Sequence, residues 1–287
     1  MEDLKKYVQI NMNDFKVISI STNKVMGFSY NGTDYILRKQ LLSEEQLSPF
    51  WQMMKDVFGS DFTKQRACIK NVYDLLEKNP HIRPASLVLV DQEEKYQIYR
   101  KMAGNPWDPD KFPAGKDIAY QLGQFVGYNH SINIDYCDIP GRNNSCLHKK
   151  LKNYMEAIIS SHWNSETVLD HKVREYFEKL KTKTIQSNGS SLIMTDLSAN
   201  QFLYEENSIT ACVDLDAYVI GPKEWELALI KNCVEDYESF KKGYEYYQIL
   251  PDMEDTMDYY LFIMSLGDIW GREEMQNFFT KQLKTNI

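Results

Sequence analysis

Two acidic residues close the stretch of this chain best suited to chemistry. Leu192-Ile193-Met194-Thr195-Asp196 is an apolar β run ending in a carboxylate. Ala211-Cys212-Val213-Asp214 repeats the arrangement one short hairpin later, with Asp216 two residues beyond. Asn200 and Gln201 lie between the two carboxylates. Phosphoryl transfer needs such a pair: one carboxylate orients an attacking hydroxyl, and the other holds Mg²⁺ against nucleotide phosphates. Aspartate also favours turns, so a hairpin that merely carries two Asp near its ends is the plainer alternative.

The flanking residues decide between the two. Asp196-Leu197-Ser198-Ala199-Asn200-Gln201-Phe202-Leu203, then Val213-Asp214-Leu215, is followed by Asp216-Ala217-Tyr218-Val219-Ile220-Gly221-Pro222-Lys223-Glu224-Trp225-Glu226-Leu227-Ala228. This order resembles the catalytic segment of the aminoglycoside phosphotransferase and choline kinase family. That family reads His-Gly-Asp, four residues, Asn-Ile-Leu, then Ile-Asp-Phe and a Gly-Pro turn before Trp-Asp-Leu-Ala. The resemblance implies Asp196 as the catalytic residue and Asp214 as the metal ligand. Met194 stands where the family has His. Gln201 stands where it has the metal-binding Asn, keeping a hard carbonyl oxygen on a longer arm. Asn200, one position earlier, is the alternative ligand, and Asp216 would bind a second ion or orient the first. Glu226 falls where a bracing Asp is expected, and Trp225 and Leu227 read as core. Gly221-Pro222 reads as a turn feeding a helix.

The elements that must position these groups follow from local pattern. Residues 15–20, 25–30 and 35–39 are β-rich; a polar loop at 21–24 separates the first two, and Asn31-Gly32 marks a hairpin turn before the third. Such a loop can cover phosphates with its N–H groups and hydroxyls, which makes Ser21, Asn23 and Lys24 candidate nucleotide contacts. Arg38 falls where the third-strand cation of the resembled family would meet phosphates. Lys39, on the opposite face of a regular strand, is held in reserve. Helical pattern covers 49–58 and 62–78. The glutamate expected there to pair with the strand cation is missing: Glu44 and Glu45 come too early, and Gln65 or Arg66 is nearest the position. A second hairpin spans 86–90 and 96–99. Residues 100–104 resemble the family's hinge, with Met102 either a wall of an adenine slot or ordinary packing, and Asn105-Pro106-Trp107-Asp108-Pro109 breaks regular structure. Helices are expected over 117–131, 147–160, 168–182, 231–247, 257–270 and 273–283, with a loop at Asn188-Gly189. His130 reads as a structural residue at a helix end.

Composition narrows the classes. With 287 residues and 43% hydrophobic content, the chain can bury a large core and exceeds one compact unit. A formal net charge of −8 argues against nucleic acid. Five scattered cysteines without Cys-x-x-Cys spacing fit reduced thiols. The first residues lack a signal peptide's apolar run and no stretch approaches a membrane span, so a cytoplasmic protein that meets no membrane is expected.

The fold expected is α+β and bilobal, of the protein-kinase-like type. Residues 1–103 would form a small antiparallel β-sheet N-lobe with a helical flank, and 104–287 a larger, mainly helical C-lobe. The resemblance implies Mg²⁺-dependent transfer of a γ-phosphoryl group from ATP or GTP to the hydroxyl of a small molecule. Acids (Glu235, Asp236, Glu238, Glu245, Asp252, Glu254, Asp255, Asp258) interleaved with tyrosines in 235–260 favour an amine-bearing acceptor, such as an aminoglycoside, an amino sugar or a choline-like alcohol. The competing reading is a catalytically silent nucleotide-binding pseudokinase with a regulatory role.

Overall fold

A computed structural model of the chain describes residues 1–43, 47–107, 111–136, 138–140, 147–181, 189–254, 256–267 and 275–280. Glu44, Glu45, Asp108, Pro109, Cys137, Cys146, Thr182, Asn188, Asp255 and the parts of the last two expected helices at 268–270, 273–274 and 281–283 lie outside them.

Alternation of side chains builds the first lobe. Helix α1 (Glu2–Asn11) lays Leu4 and Val8, one turn apart, against a sheet. Strands β1 (Lys16–Ile20), β2 (Asn23–Tyr30) and β3 (Thr33–Gln40) form an antiparallel meander. Asn31 and Gly32 turn the second hairpin with φ of 50° and 73°, the positive values that match the strands' right-handed twist. Helices α2 (Pro49–Phe58) and α3 (Phe62–Leu76) follow, N-capped by Ser48 and Asp61. After β4 (Arg83–Pro84), β5 (Leu87–Asp91) and β6 (Tyr96–Arg100) complete a five-stranded sheet ordered β1-β2-β3-β6-β5. Met26, Phe28, Leu37 and Ile98 pack under α1. Period-two alternation therefore turns Arg38 and its cross-strand partner Gln97 to the opposite face, toward the rest of the molecule.

The second lobe is mainly helical. It runs from β7 (Asn105–Pro106) through α4 (Lys116–Ser131), α5 (Leu147–His162) and α6 (Val168–Leu180) to a strand-rich segment. That segment holds β8 (Ser190–Met194), β9 (Phe202–Glu205), β10 (Ser208–Cys212) and β11 (Tyr218–Pro222); α7 (Lys223–Cys233), α8 (Tyr237–Tyr244) and α9 (Met257–Leu266) follow, and residues 275–280 are helical. The small sheets are β4-β10-β9-β7 and β11-β8. Helices α4 and α8 approach backbone to backbone: a Cβ on Gly123 would strike the Phe240 carbonyl oxygen, and one on Gly243 that of Tyr120. Among the described residues no helix is long and apolar enough to cross a membrane.

Four local expectations are corrected. Helix α1 was not foreseen, since only Leu4 and Val8 mark its buried stripe. The polar loop at 21–24 shrinks to a turn at Ser21 and Thr22, because Asn23 and Lys24 already pair in β2. Gly221-Pro222 is extended, lying in β11 opposite Ser191 and Ser190. A Cβ on Gly221 would come within 2.7 Å of the Ile193 side chain, so the glycine serves close packing. The helix expected over 231–247 is two: Val234 is extended (φ −109°, ψ 118°), and Asp236 starts α8 anew by accepting from the Ser239 N–H at 3.0 Å.

Candidate active site

The end of β8 carries Asp196, and its backbone is tied down on every side. The Met194 N–H donates to Glu226 Oε1 at 2.9 Å, so Glu226 does brace the segment. Thr195 donates both its N–H and its hydroxyl to the Ala217 carbonyl, at 3.1 and 2.9 Å. The Trp225 indole N–H donates to the Thr195 carbonyl at 3.0 Å. Sequence reasoning took Trp225 as core only; its polar edge was the missed signal, since a buried indole N–H needs an acceptor. Behind Glu226, His130 Nε2 donates to Oε2 at 2.8 Å while Nδ1 lies 3.1 Å from the Tyr244 hydroxyl. His130 is fully buried and has the structural role expected of it.

The side chains at this end are less satisfied than the backbone. Gln201 is 7% exposed; its amide Nε2 donates to the Asp196 carbonyl at 3.1 Å, but its Oε1 is buried with no hydrogen-bond partner. Asp196 Oδ1 is likewise buried and unpartnered. Burial, with the Asp214 charge second, pushes the Asp196 carboxyl up to about 7. Asn200 is exposed and accepts from the Ser198 hydroxyl at 2.8 Å. Of the two amides, the structure thus turns Gln201 inward beside Asp196 and leaves Asn200 outside.

Asp214 follows β10, where the Val213 N–H donates to the Gln201 carbonyl at 2.9 Å and joins the two halves of the segment. Its carboxylate receives the Arg38 guanidinium as a fork, both N···O distances being 3.0 Å. Arg38 Nη2 also lies 3.1 Å from Asp216 Oδ2. Asp216 further accepts from Asn23 Nδ2 at 3.1 Å and Gln97 Nε2 at 3.5 Å. Burial opposes ionisation of Asp214, but the Arg38 fork outweighs it and holds the carboxyl below its ordinary value. At Asp216 burial wins over Arg38 and the carboxyl is raised. For Arg38 itself, the charges of Asp214 and Asp216 overcome burial and raise an already high pKa.

The structure therefore brings Asp196, Gln201, Asp214, Asp216, Arg38 and Asn23 together. Ser21 is exposed on the β1–β2 turn, Lys24 is half-buried in β2, and Met102 packs half-buried against the main core beside the expected hinge. Lys39 lies on the other face of β3, 3.8 Å from Met12 Sδ, as alternation required. On α3, Gln65 and Arg66 are buried where the paired glutamate was sought.

A divalent cation fits the donor set. Mg²⁺ prefers oxygens and is usually held by one or two carboxylates plus phosphate and water oxygens. Asp214 and the unpartnered Gln201 Oε1 supply such oxygens. Among the described residues no group of three His, Cys, Asp or Glu side chains forms a ready-made metal cluster.

Comparison with known proteins places the architecture. No family model matches the sequence, and no curated protein matches it. Among solved structures, the chain is similar to the macrolide 2'-phosphotransferase MphH of Brachybacterium faecium (TM-score 0.59, 12% identity, covering 99% of this chain and 94% of that one). It is similar to the choline kinase LicA of Streptococcus pneumoniae (TM-score 0.59, 13% identity, 99% and 98% covered). It is also similar to the aminoglycoside phosphotransferase APH(2'')-Ib with ADP bound (TM-score 0.57, 15% identity, 99% and 97% covered). The fold is the kinase-like α+β architecture of these phosphotransferases.

Proposed function

We propose that this chain is a nucleotide-dependent phosphotransferase acting on a hydroxyl of a small molecule. The observation that carries the reading is the pair of buried, unpartnered acceptors, Asp196 Oδ1 and Gln201 Oε1, beside Asp214. Each unmet buried acceptor costs about 1–3 kcal/mol, which a bound hydroxyl and a bound cation would recover. Asp196 accepts the attacking hydroxyl's hydrogen bond and takes its proton as the phosphoryl group moves, with a pKa close to working pH. Asp214 and Gln201 would hold Mg²⁺, which would supply charge neutralisation at the phosphates. Arg38 exchanges its carboxylates for phosphate oxygens, a contact its planar fork suits. Asn23 stands beside it at the start of β2.

The acceptor proposed is amine-bearing, which rests chiefly on the net charge of −8. Fewer of the interleaved tyrosines support it than their number promises. Tyr244, Tyr259 and Tyr260 are buried, Tyr237 already has Lys231 Nζ 3.8 Å over its ring, and Tyr247 pairs with His81 at 2.6 Å. Asp236 is occupied as the cap of α8. ATP or GTP is the proposed donor and the cytoplasm the proposed location.

One observation favours the second reading, a silent nucleotide-binding regulator: Arg38 is already paired with both Asp214 and Asp216, so an internal cation sits where metal and phosphate would act. A coupled ADP-release assay over a panel of amino and neutral alcohols separates the two. Turnover is expected with an amine-bearing alcohol, and Asp196→Asn should lower it about 10³-fold while nucleotide affinity stays within about twofold. Saturable nucleotide binding without turnover on any acceptor would establish the silent regulator.

A further inference from the structure

The hydrogen bonds behind Met194 do not stop at Tyr244. Gln248, half-buried beyond the end of α8, donates from Nε2 to the Tyr244 hydroxyl oxygen at 2.9 Å. Its Oε1 accepts from Lys223 Nζ at 3.2 Å, and the same ammonium donates to Asn133 Oδ1 at 2.8 Å. Lys223, the first residue of α7, is 4% exposed. An unbroken path therefore runs from a buried cation through Gln248, Tyr244, His130 and Glu226 to the backbone two residues before Asp196. The groups on it fix the direction of every bond. An ammonium only donates, so Gln248 must turn its carbonyl to Lys223 and its amide nitrogen to Tyr244. The Gly127 carbonyl oxygen, 3.5 Å from that nitrogen, agrees with this orientation. The Tyr244 hydroxyl has one hydrogen to give and does not spend it on Gln248, so it goes to His130 Nδ1. The ring then carries its own hydrogen on Nε2 and gives it to Glu226 Oε2, leaving Oε1 for the Met194 N–H.

We propose that Gln248 is a positioning residue for the Asp196 segment: oriented by Lys223, it sets the order of hydrogens through Tyr244 and His130 that keeps Glu226 an ionised acceptor on the Met194 N–H. An acceptor-only group at position 248 would reverse that order. Tyr244 would give its hydrogen to residue 248, and Nδ1 would need a hydrogen of its own to meet the Tyr244 oxygen. That added hydrogen makes the ring a cation beside Glu226 or moves the Nε2 hydrogen onto Oε2. In both cases the charge of Glu226 is drawn away from Met194, and a bond to an ionised acceptor is the stronger one. The link to turnover rests on the phosphotransferase reading. The order of hydrogens does not, and would hold equally in a silent chain.

The test compares Gln248→Glu with Gln248→Met in the full chain. Glutamate keeps the shape and gains an ion pair with Lys223, so on packing alone it is the milder change. Methionine loses both hydrogen bonds but leaves Tyr244 free to give its hydrogen to Nδ1. Nitrogen-15 NMR of the His130 ring should show hydrogen on Nε2 alone in the wild type and in Gln248→Met, and a hydrogen on Nδ1 in Gln248→Glu. Amide exchange at Met194 should be about tenfold faster in Gln248→Glu than in Gln248→Met. Turnover should fall about tenfold in Gln248→Glu with nucleotide affinity within about twofold. If the wild type turns over no acceptor, the phosphotransferase reading fails, and the ring and amide measurements still decide the proposal. A hydrogen on Nδ1 in the wild type overturns it even if Gln248→Glu does not fold. So does a bare Nδ1 in Gln248→Glu, or Met194 exchange no faster there than in Gln248→Met.

Discussion

The Asp196 segment and the strand wall that faces it, built of β2, β3 and β6, satisfy their polar groups in opposite ways. Around Asp196 the backbone is engaged through Met194, Thr195, Asp196 and Gln201, while Asp196 Oδ1 and Gln201 Oε1 are left without donors. On the wall the side chains are already engaged: Arg38, Asn23 and Gln97 all spend their donors on Asp214 and Asp216. The first region is braced by hydrogen bonds and leaves two acceptors open. The second must exchange partners before it can meet a phosphate. On the proposed function, a ligand entering between them would gain hydrogen bonds on one side and break ion pairs on the other, which would set affinity on the wall and chemistry on the segment.

Loss of the brace behind the segment has the largest expected effect on stability. Glu226 and His130 are 1% and 0% exposed, and Glu226 joins the ring to the Met194 N–H. Glu226→Ala strands both partners and should cost about 3 kcal/mol of unfolding free energy. Glu226→Gln keeps a carbonyl for Met194 and should cost about 1 kcal/mol. Urea midpoints of the two variants check this. Equal midpoints would mean the brace does not depend on the bond to Met194.

The wall is probed by Arg38→Gln. Removing the fork leaves two carboxylates buried against each other and should destabilise the ligand-free protein by about 2 kcal/mol. The same change should strengthen Mn²⁺ binding to the nucleotide-free protein about tenfold, read by electron paramagnetic resonance, because the internal cation no longer competes. It should weaken ATP binding. If Mn²⁺ affinity is unchanged, the guanidinium does not guard the carboxylates and the contrast between the two regions fails.

The two regions also differed in how much the sequence revealed. The carboxylates, the hairpin between them and Glu226 were legible because strand ends, turns and the spacing of acids are local properties. Arg38's facing and the place of His130 at a helix end followed from period-two and period-3.6 patterns, whereas the order of the strands did not. What escaped was set by distant contacts. Nothing local announces that Arg38 will bind residues 176 and 178 positions away (214 − 38 and 216 − 38) in place of a helix glutamate. The extended Gly221-Pro222 is a packing decision imposed by Ile193 and β8, which overrode good turn chemistry. The split of the 231–247 helix was readable in principle, from Asp236 three residues before Ser239, an N-cap inside an otherwise continuous pattern.

The smallest effect tests the unmet side chain itself. Asp196 has a carboxyl raised to about 7, by burial first and by Asp214 second. The folded state therefore holds the Asp196 proton more tightly than the unfolded chain, whose ordinary value is near 4. That preference stabilises the fold fully below about pH 4 and is lost as pH rises through about 7. Asn carries no such ionisation. Asp196→Asn should thus unfold like wild type at pH 4 and gain about 1–2 kcal/mol by pH 8, measured in urea without divalent metal. The gain stays this small because solvent still reaches part of the Asp196 side chain and screens its charge. A stabilised variant with abolished turnover would mark Asp196 as a group kept at a cost to the fold. A variant that loses stability at pH 8 would instead mean that the carboxylate is structural, and the segment's apparent readiness for a ligand would need another cause.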